Sequence, residues 1–248
     1  MIGIFYFSST GNSLYISQMI REKMGGKIIF IPTYAGNGSE FDKIIVVSPI
    51  YSSGLPVHVY DFLPRLDNER ELFIVLNYGG MVGGADYFVY KYARQKGLNV
   101  KGIFALKMPE NYTLTFTVPK FYLKRVLGSA DKRIDKVISK ITCGEPTLPR
   151  KKKTKEKIYY KNKANWHLIG ERFSVSEDCI GCGKCVGICS TQNISMENGK
   201  ITFGNVCVAY LGCYHRCPQK AIRYLRKKKR DRYINPRIDE NLIGKNLD

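Results

Sequence analysis

The chain has 248 residues, 44% of them hydrophobic, and carries 40 Lys and Arg against 21 Asp and Glu for a formal charge of +19. That hydrophobic content excludes wholesale disorder, and no apolar run reaches the roughly 20 residues of a membrane helix. Met1 leads straight into an apolar stretch with no basic flank or cleavage site, so no signal peptide and a cytoplasmic location are expected.

The first predicted element is a strand over 2–7, almost wholly apolar, as a strand buried on both faces of a parallel sheet should be. Ser8, Ser9, Thr10, Gly11, Asn12 and Ser13 follow, and a helical pattern begins at Leu14. Hydroxyls, an amide and a glycine between strand and helix suit a phosphate. Helix-start amides donate to it, the helix dipole favours it, and hydroxyls close around it. The absence of a Gly-Lys-Ser/Thr ending separates this loop from a Walker A motif.

Further strands are predicted over 27–31, 43–48, 71–76 and 99–106, with helices over 55–66 and 84–97. The alternation predicts an α/β fold with a doubly wound parallel sheet, whose ligands sit at the carboxyl ends of strands. Two loops leave such ends. One carries Pro49, Tyr51, Ser52 and Gly54; the other carries Asn77, Tyr78, Gly79 and Gly80. An aromatic with glycines in each suits a flat heteroaromatic ring held between them. The run Gly79 to Gly84 lacks the spacing and acidic partner of a dinucleotide fingerprint, so no NAD(P) site is expected.

One or two capping helices are expected over 111–141, followed by Cys143, an incidental thiol. Residues 150–172 hold nine basic and two acidic side chains and read as a solvated connector with some packed aromatics. Residues 173–219 are charge-neutral and hold seven of the eight cysteines. Residues 220–248 are basic again, and 226–230 read as a solvated tail or a docking site for an acidic partner. No DNA-reading fold is evident.

The cysteines fall in two groups. Cys179, Cys182, Cys185 and Cys189 form a C-x2-C-x2-C-x3-C run; Cys207, Cys213 and Cys217-Pro218 follow. A reduced cytosolic chain makes a disulfide framework a poor reading, and zinc needs only four ligands, usually as two separated pairs. Three thiolates in seven residues followed by a fourth suit an iron–sulfur cluster.

The cysteine module resembles bacterial two-cluster ferredoxins over about 50 residues. The resemblance implies a small α+β ferredoxin-like domain with a [4Fe-4S] cluster on Cys179, Cys182, Cys185 and Cys217. A second site would use Cys189, Cys207 and Cys213. Its fourth ligand position is Tyr210 here, and Ser190 replaces the expected proline. The second site is therefore a [3Fe-4S] cluster, a [4Fe-4S] cluster with another group on one iron, or empty. Tyr210 and His215 read as packing residues rather than ligands.

Residues 1–140 resemble the flavodoxin-like family through the hydroxyl-x-Thr-Gly-Asn-hydroxyl loop and the Pro-x-Tyr…Gly-Leu-Pro loop. That resemblance implies FMN, with its phosphate on Ser8 to Ser13 and its ring near Tyr51 and Tyr78. Together the halves resemble flavodoxin–ferredoxin fusion proteins of anaerobic bacteria. The implied organisation is a flavodoxin-like domain at 1–142, a basic linker at 143–172, a ferredoxin-like domain at 173–224 and a basic tail at 225–248. The expected function is electron transfer between iron–sulfur clusters and FMN, serving a redox partner protein with an acidic surface. Two alternatives stand: a flavin-dependent reductase of a small electrophile such as a quinone, and a basic binding module with decayed cofactor sites. Positive surroundings would make the flavin potential less negative than in acidic flavodoxins, with only charges near the ring counting at cellular salt.

Overall fold

The computed structural model describes residues 1–114, 117–225 and 231–248. The basic run at 226–230, read above as a tail or docking site, lies outside the described residues.

Seven alternating elements lead from the N-terminus: β1 (Ile2–Tyr6), α1 (Asn12–Met24), β2 (Lys27–Phe30), β3 (Lys43–Pro49), α2 (Val57–Phe62), β4 (Glu71–Tyr78) and α3 (Ala85–Gln95). Then come β5 (Val100–Lys107), α4 (Lys120–Gly128) and α5 (Ala130–Cys143). The five strands form one parallel sheet in the order β2-β1-β3-β4-β5. This is the flavodoxin-like doubly wound order, with its switch point between β1 and β3. The apolar runs in β1, β3 and β4 exist because both sheet faces are covered: Ile4, Ile45, Val47, Ile74 and Leu76 are wholly buried. Helices α1 and α5 pack on one another. On α2 and α3, Tyr60 and Tyr92 stack with ring centroids 4.2 Å apart.

The register aligns the carboxyl ends of the strands. Tyr6 lies opposite Val47, Pro49 opposite Asn77, and Tyr78 opposite Lys107. The loops that leave β1, β3, β4 and β5 therefore emerge at one end of the sheet.

The connector carries packed aromatics, as expected, and is helical. It forms α6 (Glu156–Ala164) and α7 (His167–Glu171), and Tyr159 and Trp166 join the main core. Tyr159 is wholly buried, and its hydroxyl donates to the Leu55 carbonyl at 2.8 Å. The physical reason is amphipathic: the lysines extend outward while the aromatic bodies cover α2 and α3, with the Phe88 and Tyr159 rings 5.1 Å apart.

The cysteine-rich module holds β6 (Phe173–Val175), α8 (Lys184–Gly187), β7 (Ile194–Glu197), β8 (Lys200–Phe203), α9 (Gly212–His215) and β9 (Ile222–Tyr224). β6 pairs with β9 and β7 with β8, both antiparallel. Phe173, Leu211, Tyr214, Ile222 and Tyr224 give it a small core of its own, which Leu114 joins.

The described part of the C-terminal segment, 231–248, packs on the N-terminal domain. It runs back over the N-terminal sheet: Leu247 and Ile28 exchange backbone hydrogen bonds, and the Tyr6 hydroxyl accepts from the amides of Gly244 and Lys245. Asn235 is wholly buried. Tyr233, Ile238 and Ile243 offer apolar surface that a charge count cannot reveal.

Candidate cofactor sites

At the carboxyl end of the sheet lies a cleft of about 280 Å³. It brings together Asn12, Pro49, Ser52, Asn77, Tyr78, Gly79 and Gly80 from the residues expected at a ligand site, and adds Glu110, Asn111 and Tyr112 from the loop after β5. That third loop was missed because it has neither a motif nor glycines. The strand order alone places it here.

The Ser52 side of the cleft is shaped by a tight turn. Tyr51 and Gly54 exchange backbone hydrogen bonds, and Ser52 and Ser53 between them both adopt positive φ, 49° and 67°. Such conformations cost non-glycine residues of order 1–2 kcal/mol each and gather at functional sites.

Two expected ring neighbours face elsewhere. Gly54 is buried beneath the Tyr159 ring. Tyr51 turns from the cleft toward the cysteine module, meeting the Trp166 ring edge-to-face at 6.1 Å and directing its hydroxyl toward the Tyr210 carbonyl. Burial raises the Tyr51 phenol, and a hydrogen bond with Ser9 partly offsets it. Tyr78 lines the cleft, so of the two tyrosines it alone is placed to meet a ring there.

The loop from Ser8 to Ser13 is buried. Ser8 Oγ accepts from the Gly11 amide at 2.9 Å, Thr10 Oγ1 accepts from Asn111, and Ser13 Oγ accepts from Asn77 Nδ2 at 2.8 Å. The amides of Asn12, Ser13 and Leu14, in the first turn of α1, have no acceptor within their own helix. These buried donors fit an anion.

The C-terminal segment packs over this loop. The Asn235 amide donates to the Thr10 carbonyl at 2.8 Å. Asn12 Oδ1 accepts from the Tyr233 hydroxyl at 2.7 Å and from Asn235 Nδ2 at 3.1 Å, while Asn12 Nδ2 donates to the Pro109 carbonyl. Gly11, at φ 92°, sits where a Cβ would stand 2.7 Å from Ile238, so this crossing requires glycine. No sequence signal marks Tyr233 or Asn235.

A second cavity is lined by Cys179, Cys182, Cys185 and Cys217 together with Val175, Ile201 and Ala221. The Ala221 amide donates to Cys217 Sγ at 3.3 Å. Cys189, Cys207 and Cys213 form the adjoining group. Burial drives the Cys213 thiol well above its ordinary range, and Cys207, Cys189 and Cys185 push it further. The Asn193 amide donates to Cys189 Sγ at 3.2 Å. Among the described residues, no three His, Cys, Asp or Glu side chains converge closely enough to hold one metal ion. Cys143 is exposed at the end of α5, outside both sets.

Tyr210 joins neither set of thiols. Ala209 and Leu211 on either side of it have positive φ, 58° and 62°, and the side chain is carried into the N-terminal domain. There its ring packs on Phe7 with centroids 5.1 Å apart, and its hydroxyl donates to the Ser8 carbonyl at 2.7 Å. Ser190 Oγ lies 2.9 Å from His58 Nε2 on α2. His215 is buried, and its Nδ1 accepts from the Tyr233 amide at 3.3 Å. Burial depresses its pKa to about 4.

The cleft contains one charged side chain among its described lining, the acidic Glu110. From the connector, Lys155 Nζ reaches Met81 Sδ of the cleft at 3.5 Å and Lys152 pairs with Asp86, while Lys91 on α3 pairs with Glu156.

Strand order and cleft define a doubly wound α/β protein of the flavodoxin-like type, joined to a cysteine-rich module. No family model matches the chain. It is 38% identical over 48 residues to the polyferredoxin protein MvhB of Methanothermus fervidus, an alignment covering 19% of this chain and 12% of that protein. Among solved structures, a Fusobacterium nucleatum flavodoxin bound to flavin mononucleotide is 19% identical, with TM-score 0.42 over 57% of this chain and 96% of that one. The two-electron reduced flavodoxin of Megasphaera elsdenii is 17% identical, with TM-score 0.38 over 56% of this chain and 99% of that one. At scores this low the likenesses add no weight to what strand order already gives. Among the described residues, no helix is long and apolar enough to cross a membrane.

Proposed function

We propose that the protein is an electron-transfer flavoprotein that holds FMN at the sheet-end cleft and at least one iron–sulfur cluster on its cysteine module. The observation that carries the reading is the arrangement of the sites. The cleft and the four-cysteine cavity occupy one chain, and Tyr210 of the cysteine module is hydrogen-bonded to Ser8 of the loop after β1. Tyr51 touches both sides, bonded to Ser9 of the loop and sensing Cys207 electrostatically.

FMN, when bound, exchanges electrons singly or in pairs, whereas a cluster carries one at a time. The chain supplies the positioning. First-turn amides of α1 and the hydroxyls around them would receive the phosphate, and Tyr78, Asn77 and the backbone near Gly79 and Gly80 would receive the ring. Cys179, Cys182, Cys185 and Cys217 would hold a [4Fe-4S] cluster in a ferredoxin-like domain. The three thiolates of the second set suit a [3Fe-4S] cluster, because Tyr210 is engaged elsewhere. Buried docking through Tyr210 and the C-terminal segment would exclude water between the centres. The remaining positive charge favours a redox partner with an acidic surface.

Anaerobic purification should give a yellow-brown protein containing flavin and iron. Paramagnetic resonance before and after reduction should show two distinguishable signals. Replacing Cys217 by Ser should abolish the four-iron signal, whereas Cys143→Ser should leave it intact. Protein that stays colourless after anaerobic reconstitution would sink the proposal.

A further inference from the structure

Beside the cleft lies a cavity of about 310 Å³ that the sequence motifs do not account for. Three parts of the chain build it: Tyr51 and Tyr112 from strand-end loops, Asn162 and Trp166 from the connector, and Arg172 and Tyr224 at the edge of the cysteine module. It shares Ser52 and Tyr112 with the cleft, so the two spaces are neighbours. Its volume falls within the range of small-molecule pockets, about 300–1,000 Å³.

The chemistry of the walls is specific. Tyr51 and Trp166 meet edge-to-face at 89° and form a rigid aromatic corner; Trp166 is 5% exposed. Tyr224 is buried, and its hydroxyl accepts from Arg172 Nη1 at 3.3 Å, which fixes the guanidinium at the rim. Among the described residues no ion pair is formed by Arg172; Tyr224 acts on it most, with Tyr112 and Glu171 after it. A guanidinium has five N–H donors, and Tyr224 takes one. Aromatic faces with a cation at one edge recognise a flat ring carrying an acidic group.

We propose that this cavity binds a small planar aromatic anion, an aromatic carboxylate in its simplest form, next to the cofactor cleft. The inference rests on the flavin reading for what lies beside the occupant, but not for the binding itself. Aromatic faces take the ring, and Arg172 takes the carboxylate through its remaining donors. The connector helices supply one wall, which gives α6 and α7 a role beyond joining domains.

Calorimetric titration of the full chain with 2-naphthoate, and with uncharged 2-naphthamide, tests this. The acid should bind at one site with at least tenfold higher affinity than the amide. Arg172→Gln should erase that tenfold preference while leaving amide binding unchanged, and Arg172→Lys should retain part of it. Trp166, the only tryptophan in the chain, should change its fluorescence on titration. Circular dichroism of each variant shows whether it has folded. Equal affinities for acid and amide, no binding of either, or an unchanged preference in folded Arg172→Gln would overturn the proposal. Release of flavin in step with naphthoate binding would also overturn it, since the space would then belong to the cofactor's own seat. Flavin absorbance in the same samples separates the two readings: protein that stays colourless after anaerobic reconstitution yet binds naphthoate refutes the function proposed above and leaves this site standing.

Discussion

The hydroxyl of Tyr210 donates a 2.7 Å hydrogen bond to the carbonyl of Ser8, joining the cysteine module to the loop that opens the N-terminal domain. The bond is buried, so both partners depend on it. Gly212 lies directly beneath the Tyr210 ring, where a Cβ would come within 2.5 Å. Tyr210 is therefore a docking anchor between the cysteine module and the N-terminal domain. Replacing it with phenylalanine keeps the ring and strands the Ser8 carbonyl, at a cost of about 1–3 kcal/mol. Urea unfolding should show a lower midpoint for Tyr210→Phe with unchanged iron content. Loss of iron without loss of stability would contradict the anchoring role.

The C-terminal segment should govern cofactor retention. Tyr233 and Asn235 both hold Asn12 Oδ1, and Ile238 lies against Gly11. Each lost neutral hydrogen bond is worth about 0.5–1.5 kcal/mol. The double variant Tyr233→Phe, Asn235→Ala should therefore bind FMN on the order of tenfold more weakly, measured by flavin fluorescence quenching. Unaltered affinity would show that the segment covers the loop without helping it hold a ligand.

Glu110 sets the local field. It lines the cleft, and its carboxylate accepts from the amides of Asn111 and Tyr112, which keeps it in place. A fixed negative charge disfavours added electrons on a bound flavin. Glu110→Gln should make the first reduction potential less negative by about 1 kcal/mol, or on the order of 40 mV for one electron. Spectroelectrochemical titration of both proteins decides it, and a shift in the opposite direction would exclude this electrostatic role.

His58 makes the fold acid-sensitive. Burial against Phe7 favours the neutral imidazole, and its pKa is lowered; nearby Asp61 opposes the shift without reversing it. The unfolded chain binds a proton near pH 6.5, whereas the folded chain resists it to lower pH. The stabilisation is thus complete above pH 6.5 and declines as pH falls toward the folded pKa. Between pH 7.5 and 5.5, wild type should lose more unfolding free energy than His58→Gln. Parallel losses would rule out His58 as the titrating group.

The sequence by itself determined the parallel sheet, because strands buried on both faces must be continuously apolar, and β1, β3 and β4 are. It also determined the cysteine grouping, because tight thiol spacing is local. The hydroxyl-rich loop between β1 and α1 was legible for the same reason, since strand, hydroxyls and helix start are adjacent in the chain. Tertiary structure alone decided which loop residues meet. Tyr51 and Gly54 sit in a motif that points to the cleft, yet packing against Trp166 and Tyr159 draws them away. It also decided the fate of the basic segments. Charge counts register the lysines, but Tyr159, Trp166, Tyr233 and Asn235 supply the buried surface and hydrogen bonds that bind those segments to the sheet. Contacts such as Tyr210 to Ser8, 202 residues apart, have no local signature. They form because a polar group withdrawn from water must find its partner wherever the fold presents one.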